Sequence, residues 1–308
     1  MKLFTFEVNH QLHLGAELSG QLVDLAAACS ASIQARGSRP NDPRMLPSDL
    51  IAFIRMGEPA LAAARESLDF MARRPPVPVG QQIVYSLDAV RLLAPIPHPG
   101  KILCSGINYT SHAEENPGAK MPTDPFFFSK LPSAVIGPGE PIVLPGQSRQ
   151  VDYEVEFAVV IGKKMKGAPE SDVMSHIFGY TILHDVSARD VQFKDNQITL
   201  GKNFDTFCPL GPCIVTTDEL RDPGNVKLRS FVNDKLMQDG TTADWVFPLP
   251  TLLSRLSQVM TLEPGDVVST GTPAGVGAFR KPPVFLKPGD VCRLEIEGIG
   301  LLENPVSG

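Results

Sequence analysis

Short strand-like runs follow one another from Lys101 to the end of the chain, and they restrict the fold more than any other feature. The runs read KILCSGI, SAVIG, PIVLP, YEVEFAVVIG, GYTILHDVSA, PCIVTT, KLRSFVND, DVVSTG and DVCRLEIEG. Their turns are rich in Gly, Pro and Asp, including Pro-Gly-Asp turns at 264–266 and 288–290. One amphipathic helix, LPTLLSRLSQVM at 249–260, interrupts them, whereas a doubly wound sheet would alternate strands and helices. We therefore expect a mixed, β-rich α+β domain rather than a Rossmann or TIM architecture.

The N-terminal part has a different pattern, with a hairpin and helices in place of repeated strands. The segments LFTFEV and LHLGAEL alternate and predict the hairpin. Ser48 can cap a helix through LIAFI, and Pro59 can open another through ALAAARESLDFMARR. The second helix carries its shared apolar face at Leu61, Ala64, Leu68 and Met71.

Two proline-rich segments separate this part from the strands that follow. They read PPVPVG at 75–80 and APIPHPG at 94–100, and they predict a boundary between about 72 and 100. We expect a small N-terminal α/β domain at 1–97, which includes a proline-rich linker, and a catalytic domain at 98–308.

The composition is that of an ordinary globular protein and argues against several classes of partner. The chain has 308 residues, is 43% hydrophobic and carries a formal net charge of −6, with no run rich in Lys or Arg. We therefore expect neither a nucleic-acid nor a membrane partner. No stretch approaches the roughly 20 apolar residues of a membrane span, and the N-terminus lacks a secretory signal pattern, which predicts a cytoplasmic protein.

The cysteines predict neither a disulfide framework nor a zinc site. They are Cys29, Cys104, Cys208, Cys213 and Cys292. They form no CxxC pair and no Cys/His zinc spacing, and an odd number is a poor basis for disulfides. We expect reduced, mostly buried thiols.

Three acidic residues alternate along the run VDYEVEFAVVIG. Because successive side chains of a strand point to opposite faces, Asp152, Glu154 and Glu156 share one face. A solvent-facing acidic stripe on an edge strand is one interpretation. The apolar AVVI that follows favours another, in which the strand enters the core, where unpaired like charges are costly. A divalent cation would remove that cost.

A second predicted strand adds another isolated acidic residue. Asp185 lies within the apolar run of GYTILHDVSARD, where a carboxylate needs a strong partner. Oxygen ligands without nearby Cys or paired His favour Mg²⁺, Mn²⁺ or Ca²⁺ over zinc, and catalytic Mg²⁺ fits best. We expect Asp185 to join Glu154 and Glu156 as a ligand. His184 points to the opposite face, and we expect it to be structural.

At these residues the sequence resembles the fumarylacetoacetate hydrolase family. The matching segments cover 98–308 and read KILCSGINYTSHAEE, PFFFSKLPSAVIGPGEPI, DYEVEFAVVIGKK, GYTILHDVSARDVQ, GKNFDTFCPLGP, TLEPGDVVSTGTPAGVG and LKPGDVCRLEIEGIG. The resemblance implies a mixed β-roll of the fumarylacetoacetate hydrolase C-terminal type, usually a homodimer, with Mg²⁺ or Mn²⁺ on Glu154, Glu156 and Asp185. The segment GVGAFRKPPVFLKPGD is closest to the domain-containing subfamily that includes oxaloacetate tautomerases.

The same resemblance implies roles for further residues. It makes His112 and Glu115 a dyad on a mobile lid at 108–120, and Lys202 a charge-stabilising residue. It makes Arg189, Gln192 and Thr272 contacts to the substrate.

Each of these residues also has a plainer interpretation when the sequence is considered alone. His112 and Glu115 are then one solvated helical turn, Arg189 pairs with Asp190 at the surface, and Lys202 is an exposed loop lysine. The loop GTPAGVG at 271–277 lacks both the Lys-Ser/Thr ending of a P-loop and the G-x-G-x-x-G spacing. It is either a tight turn or a loop that offers backbone N–H groups and the Thr272 hydroxyl to a carboxylate.

Together with these residues, the family resemblance implies chemistry on a small 2-oxo acid. Such an acid chelates one metal through its carboxylate and keto oxygens, and the metal then stabilises an enolate. Hydrolysis of a C–C bond in an acylpyruvate-like β-diketo acid, decarboxylation and tautomerisation all share that intermediate. We favour C–C hydrolysis, with an oxaloacetate tautomerase or decarboxylase as the alternative. A noncatalytic metal- or carboxylate-binding protein is the alternative of a different class.

Overall fold

The computed structural model describes residues 1–37, 44–73, 75, 82–116, 118 and 120–308. Of the proline-rich segment predicted at 75–80, only Pro75 is among them. Pro117, which closes the predicted lid, also lies outside the described residues.

The helices of the described residues are short, apart from one of fifteen residues. They are α1 (Leu25–Ala35), α2 (Leu50–Met56), α3 (Glu58–Ala72), α4 (Thr110–Glu115), α5 (Arg189–Gln192), α6 (Ile198–Lys202) and α7 (Leu249–Val259). The predicted helices correspond to α2, α3 and α7. None of the helices described has the length and apolar character needed to cross a bilayer.

The strands extend over the whole chain. Those before residue 150 are β1 (Lys2–Val8), β2 (Gln11–Leu18), β3 (Gln21–Asp24), β4 (Val84–Ser86), β5 (Arg91–Leu92), β6 (Ile102–Gly106), β7 (Phe126–Lys130), β8 (Val135–Ile136) and β9 (Ile142–Val143). Those after it are β10 (Val151–Asp152), β11 (Val155–Ile161), β12 (Ile177–His184), β13 (Ser187–Ala188), β14 (Cys208–Thr216), β15 (Lys227–Val232), β16 (Lys235–Thr241), β17 (Val267–Ser269), β18 (Val291–Ile296) and β19 (Gly300–Ser307). The β-rich α+β fold predicted from the sequence is confirmed.

One large mixed sheet organises the molecule. Its strand order is β4-β3-β2-β1-β14-β12-β11-β17-β6-β7, with β5 paired to β1 and β8 paired to β14. A five-stranded sheet, β16-β15-β18-β19-β9, and the short pair β10-β13 complete the architecture. The N-terminal strands therefore continue the large sheet, because β1 pairs with β14 through Lys2–Val215 and Leu3–Ile214.

The middle of the large sheet is buried on both faces. Every residue of β11 and β12 is buried. On one face of β11, Phe157 and Val159 join the main core. On the other face, Val160 packs in a cluster with the N-terminal helices. Glu156 shares this second face through the alternation of the strand, so its carboxylate lies inside the protein.

The start of α2 differs from the prediction by one residue. Its N-cap is Asp49, whose carboxylate accepts a hydrogen bond from the backbone N–H of Ala52 at 2.7 Å. The assignment of the cap to Ser48 was therefore wrong, since the side chain of Asp49 is the one that reaches the free N–H groups of the first turn. Pro59 lies in the first turn of α3, as predicted. Helix α1, capped by Asp24, was not predicted.

Candidate active site

The acidic strand face predicted from the sequence is buried. Asp152, Glu154 and Glu156 are 0%, 4% and 2% exposed, which excludes a solvent-facing stripe. Glu154 and Asp185 lie side by side just beyond the paired ends of β11 and β12, because the backbone N–H of Asp185 donates to the carbonyl of Glu154 at 3.0 Å. Four carboxylates therefore occupy a small region with little access to water.

Arg189, at the start of α5, compensates two of these carboxylates. Its Nε donates to Asp152 Oδ2 at 2.9 Å, and its Nη2 donates to Glu154 Oε1 at 2.5 Å. Its Nη1 donates to Gln192 Oε1 at 3.0 Å. The alternative of a surface ion pair with Asp190 was wrong, since Asp190 instead accepts from Ser148 and the backbone of Arg149. The guanidinium of Arg189 is buried in the wall of the site.

Two buried lysines surround Asp185. Lys130, at the end of β7, donates from Nζ to Asp185 Oδ1 at 2.6 Å, and Lys202, at the end of α6, donates to Asp185 Oδ2 at 2.5 Å. Lys202 also donates to Glu154 Oε2 at 2.7 Å. Burial alone would lower the pKa of Lys202, but the charges of Asp185 and Glu154 outweigh it and raise this pKa. The exposed-loop alternative for Lys202 was therefore wrong.

Glu156 is the carboxylate of this group without a basic partner in the described structure. Its Oε2 accepts a hydrogen bond from the hydroxyl of Ser269, on the neighbouring strand β17. Burial, followed by the charges of Asp185 and Glu154, holds the pKa of Glu156 well above its usual range. For Glu154, burial acts in the same direction, but Lys202 and Arg189 outweigh it and lower the pKa. Glu156 is thus the carboxyl group whose charged form the surrounding residues do not stabilise.

The donor set fits a hard divalent cation. One ligand atom each from Cys104, Glu156 and Asp185 lies within 4.8 Å of the other two. Glu154 is connected to this group through the Nζ of Lys202. Carboxylate oxygens are the ligands that Mg²⁺ and Mn²⁺ prefer, and an uncompensated buried carboxylate is stabilised by a cation. Two of the three predicted ligands, Glu156 and Asp185, belong to this group, and Glu154 adjoins it, so the predicted set would be able to hold such an ion.

Helix α4 brings His112 and Glu115 together, as the i, i+3 spacing predicted. The Nδ1 of His112 lies 2.7 Å from Glu115 Oε1. Both side chains are partly buried, so the interpretation as a merely solvated turn was wrong. The helix is fixed at its start, because Asp244 Oδ2 accepts from both the backbone N–H and the hydroxyl of Ser111.

The loop at 271–277 binds two carboxylates through its backbone. The carboxylates belong to this chain. The N–H of Gly275 donates to Glu115 Oε2 at 2.7 Å, and the N–H of Gly277 donates to Asp152 Oδ1 at 2.7 Å. The hydroxyl of Thr272 has other partners, since it donates to the carbonyl of Val155 and accepts from Gln238.

A cavity of about 230 Å³ joins the acidic cluster to α4. The predicted site residues in its wall are His112, Glu154, Glu156, Arg189, Gln192, Lys202 and Thr272. The remaining two lie behind this wall: Asp185 contacts Lys202, and Glu115 contacts His112. Site residues predicted in distant segments of the sequence therefore lie around one cavity in the fold.

His184 lies outside the lining of this cavity and is fully buried. Neither ring nitrogen has a hydrogen-bond partner within the part of the chain that the structure describes. Burial, assisted by the charge of Lys130, lowers the pKa of His184 to about 3, so the ring is neutral. This placement agrees with the expectation that His184 points away from the site.

The sequence reading missed Lys130, Ser269 and Cys104. Lys130 ends the apolar run PFFFSK, so it carried the same signal as Asp185, an isolated charge beside a buried segment. Ser269 and Cys104 gave no such signal, because their relation to Glu156 depends on the order of β11, β17 and β6 in the sheet.

A buried carboxylate cluster and His112, which pairs with Glu115, line one cavity of a mixed β-rich fold, an arrangement typical of an enzyme active site. Residues 101–307 match the family model described as fumarylacetoacetate (FAA) hydrolase C-terminal, and the chain belongs to this family. The family resemblance predicted from the sequence is thereby confirmed.

Relatives of known name include both isomerising and hydrolysing enzymes. A Homo sapiens protein named as a mitochondrial oxaloacetate tautomerase is 44% identical over 99% of this chain and 91% of its own length. A fumarylacetoacetate hydrolase from psychrophilic Exiguobacterium antarcticum has a TM-score of 0.81 at 36% identity, covering 100% of this chain and 99% of its own. A maleylpyruvate hydrolase from a Sphingobium species, solved with manganese (II) and pyruvate, has a TM-score of 0.75 at 31% identity, with the same coverage of both chains.

The cytoplasmic location expected from the sequence was wrong, because the human relative and its Rattus norvegicus counterpart are both named as mitochondrial proteins. The expectation rested on the lack of a secretory pattern and of a membrane span in the sequence. Neither feature distinguishes the cytoplasm from the interior of an organelle.

Proposed function

We propose that this protein is a keto–enol tautomerase of a small 2-oxo acid of the oxaloacetate class, dependent on Mg²⁺ or Mn²⁺ held by Glu154, Glu156 and Asp185. The observation that carries the proposal is the position of the His112–Glu115 pair across one cavity from the carboxylate cluster and Lys202. A proton-transfer group and an anion-stabilising group therefore face the same small volume. The 44% identity to a protein named as an oxaloacetate tautomerase supports the choice of substrate class.

Tautomerisation needs only the transfer of protons. A proton leaves the carbon beside the keto group, and a proton is added to the keto oxygen. His112 accepts the first of these, while Glu115 orients the imidazole and balances its charge. Lys202 lies in the cavity wall, where its ammonium offsets the charge that develops on the acid. When bound, Mg²⁺ or Mn²⁺ supplies Lewis acidity toward the keto oxygen.

Hydrolysis of a C–C bond in an acylpyruvate-like acid, which the family resemblance favoured, is the second candidate. The same His112–Glu115 pair can activate a water molecule, and a maleylpyruvate hydrolase has the same fold at 31% identity. We rank tautomerisation first because the relative named as a tautomerase is more similar and is matched over 99% of this chain.

The test compares both reactions in one set of variants. The ketonisation of enol-oxaloacetate and the cleavage of acylpyruvates are followed by enol absorbance, with Mg²⁺ and with EDTA. We expect His112→Ala and Glu115→Gln to slow ketonisation by roughly 10²- to 10⁴-fold, the usual effect of losing a general base. Glu114→Gln on the exposed side of the same helix is the matched control and should retain full activity.

Three outcomes would count against this ranking. Cleavage of acylpyruvates without ketonisation would establish the hydrolase instead. Full ketonisation in EDTA would remove the metal from the mechanism. Cation binding without turnover of any acid would leave a noncatalytic binding protein.

We also propose a homodimer, on the resemblance to the family. The chain mass is 33.3 kDa, and light scattering at micromolar concentration should give about twice that value. An active enzyme with the mass of a single chain would contradict this assignment.

A further inference from the structure

The buried charges of the site follow a regular pattern. Glu154 and Asp185 each direct one oxygen to a cation of their own: Glu154 Oε1 accepts from Arg189, and Asp185 Oδ1 accepts from Lys130. The other oxygen of each carboxylate accepts from one shared ammonium, that of Lys202. Lys202 thus bridges the two carboxylate oxygens that Arg189 and Lys130 do not contact.

Arg189 and Lys130 are held by groups other than these carboxylates. Arg189 also donates to Asp152 and Gln192. Lys130 is fully buried and also donates to two backbone carbonyls, of Lys202 at 2.6 Å and of Val186 at 3.3 Å. Backbone carbonyls cannot turn away from a buried ammonium, which fixes Lys130. Arg189 is fixed through Asp152, whose carboxylate is itself held by the backbone N–H groups of Gly277 and Ala278.

Lys202 is held differently. Within the described residues, its Nζ donates to the two carboxylates and lies 5.0 Å from the centroid of the Phe128 ring. Lys202 and Phe128 both line the cavity, whereas Lys130 does not. An ammonium over an aromatic face keeps a favourable interaction when its ion pairs are lost. Lys202 therefore borders open space and has one favourable contact that does not depend on its ion pairs.

We infer that the ammonium of Lys202 and the divalent cation compete for the same oxygens of Glu154 and Asp185, so that cation binding releases Lys202 from its ion pairs toward Phe128 and the bound acid. The inference rests on the proposed function, because it uses the same three ligands. Lys130 and Arg189 stay in place and keep the remaining oxygens oriented. Binding of the metal then also frees the ammonium of Lys202 to contact the anionic substrate.

The test measures Mn²⁺ affinity, which does not depend on turnover. Calorimetric titration is carried out on EDTA-treated and dialysed wild-type protein and on Lys202→Met, Lys130→Met and Lys101→Met. Removing the competing ammonium should lower the Kd for Mn²⁺ in Lys202→Met by about 10-fold or more, equal to about 1.4 kcal/mol. Lys130→Met loses the same charge from the same carboxylate, but at an oxygen that Lys202 does not share, and should show no comparable gain. Lys101→Met removes a pair with Asp266 outside the cavity and should bind as wild type does.

The outcomes separate this inference from the proposed function. Wild-type protein that does not bind Mn²⁺ would end both proposals. If wild type binds Mn²⁺ and Lys202→Met binds it equally or more weakly, the displacement of Lys202 by the cation is contradicted, while the proposed function still stands. Equal gains in Lys202→Met and Lys130→Met would also contradict this displacement, because they would reflect net charge rather than a shared site.

A measurement on the unaltered chain covers the case in which a variant does not fold. In a crystal structure of wild type grown with Mg²⁺, Lys202 Nζ should lie beyond hydrogen-bond distance from at least one of Glu154 Oε2 and Asp185 Oδ2. A bound Mg²⁺ with both ion pairs of Lys202 intact would refute the displacement.

Discussion

At the scale of single residues, the charge on Glu156 distinguishes this site from an ordinary buried ion-pair network. Glu154 and Asp185 have lysine or arginine partners, whereas Glu156 has the hydroxyl of Ser269. A buried carboxylate without a cationic partner destabilises the fold, so its presence indicates a role other than structural support.

Glu156→Gln should therefore separate stability from cation binding. Burial and the neighbouring carboxylates disfavour the ionised form of Glu156, and the neutral amide removes that cost, so the free energy of unfolding in EDTA at neutral pH should stay the same or rise. The Kd for Mn²⁺ should increase by at least about 10-fold, because a site with few protein ligands cannot lose one without effect. Urea denaturation and calorimetric titration measure the two quantities.

Glu154→Gln is the matched comparison, since it makes the same chemical change two residues away. It removes the partner of both Arg189 and Lys202, and breaking a buried ion pair costs about 3 kcal/mol or more of folding stability. If both variants were destabilised equally, Glu156 would be one more member of a structural network.

The acidic residues of the site could be predicted from the sequence, but their partners could not. Glu154, Glu156 and Asp185 were identifiable because alternation and isolated charge in apolar runs are local signals. The two oxygens that Lys202 bridges come from two strands, and the lysine itself comes from a later helix. Which cation meets which oxygen depends on the tertiary structure.

At the scale of elements, α4 forms one wall of the site and is held at both ends. Asp244 accepts two hydrogen bonds from Ser111 at its start, and Gly275 donates to Glu115 at its end. Because His112 lies between these two attachments, its position over the cavity depends on both.

Asp244→Ala should loosen the helix without touching the carboxylate cluster. We expect kcat/KM for the preferred 2-oxo acid to fall by about 10-fold, because small displacements of a catalytic base have large effects on rate. The Kd for Mn²⁺ should not change. Steady-state kinetics with a parallel titration measure both.

Asp239→Ala is the control for this change, since it breaks an exposed pair with Arg229 on the adjacent strands. It should alter neither quantity. An Asp244→Ala enzyme with wild-type kinetics would mean that α4 keeps its position without this anchor.

The sequence predicted long elements well and short ones poorly. Strands β11 and β12 and helix α7 were found because their apolar periodicity extends over several turns or pleats. Strand β7 was missed, although it carries Lys130 and Phe128, since its phenylalanines do not alternate with polar residues. Helix α1 was missed because the segment around it is apolar on most sides.

At the scale of the molecule, the large sheet crosses the boundary that the proline-rich segments predicted. Strand β1 pairs with β14, and the backbone N–H of Thr216 donates to the carbonyl of Met1. One hydrophobic cluster joins Leu3 and Phe53 of the N-terminal part to Phe178 and Ile214 of the larger part. The proline-rich segments could not reveal this continuity, because strand pairing between distant segments leaves no sequence signal.

We therefore expect residues 98–308 not to fold well alone, although they contain the whole of the matched family region. Removing residues 1–97 would expose the edge of β14 to solvent, and an unpaired apolar edge promotes aggregation. It would also uncover Phe178 and Ile214, which are buried against the N-terminal helices and strands. The fragment should be insoluble or should unfold at a Tm at least about 10 °C below that of the whole chain. Co-expression with a fragment of residues 1–97 should restore solubility, since it supplies β1 and the missing half of the cluster. Calorimetry of the intact chain should show one cooperative transition, whereas a soluble fragment with the Tm of the whole protein would establish two independent domains.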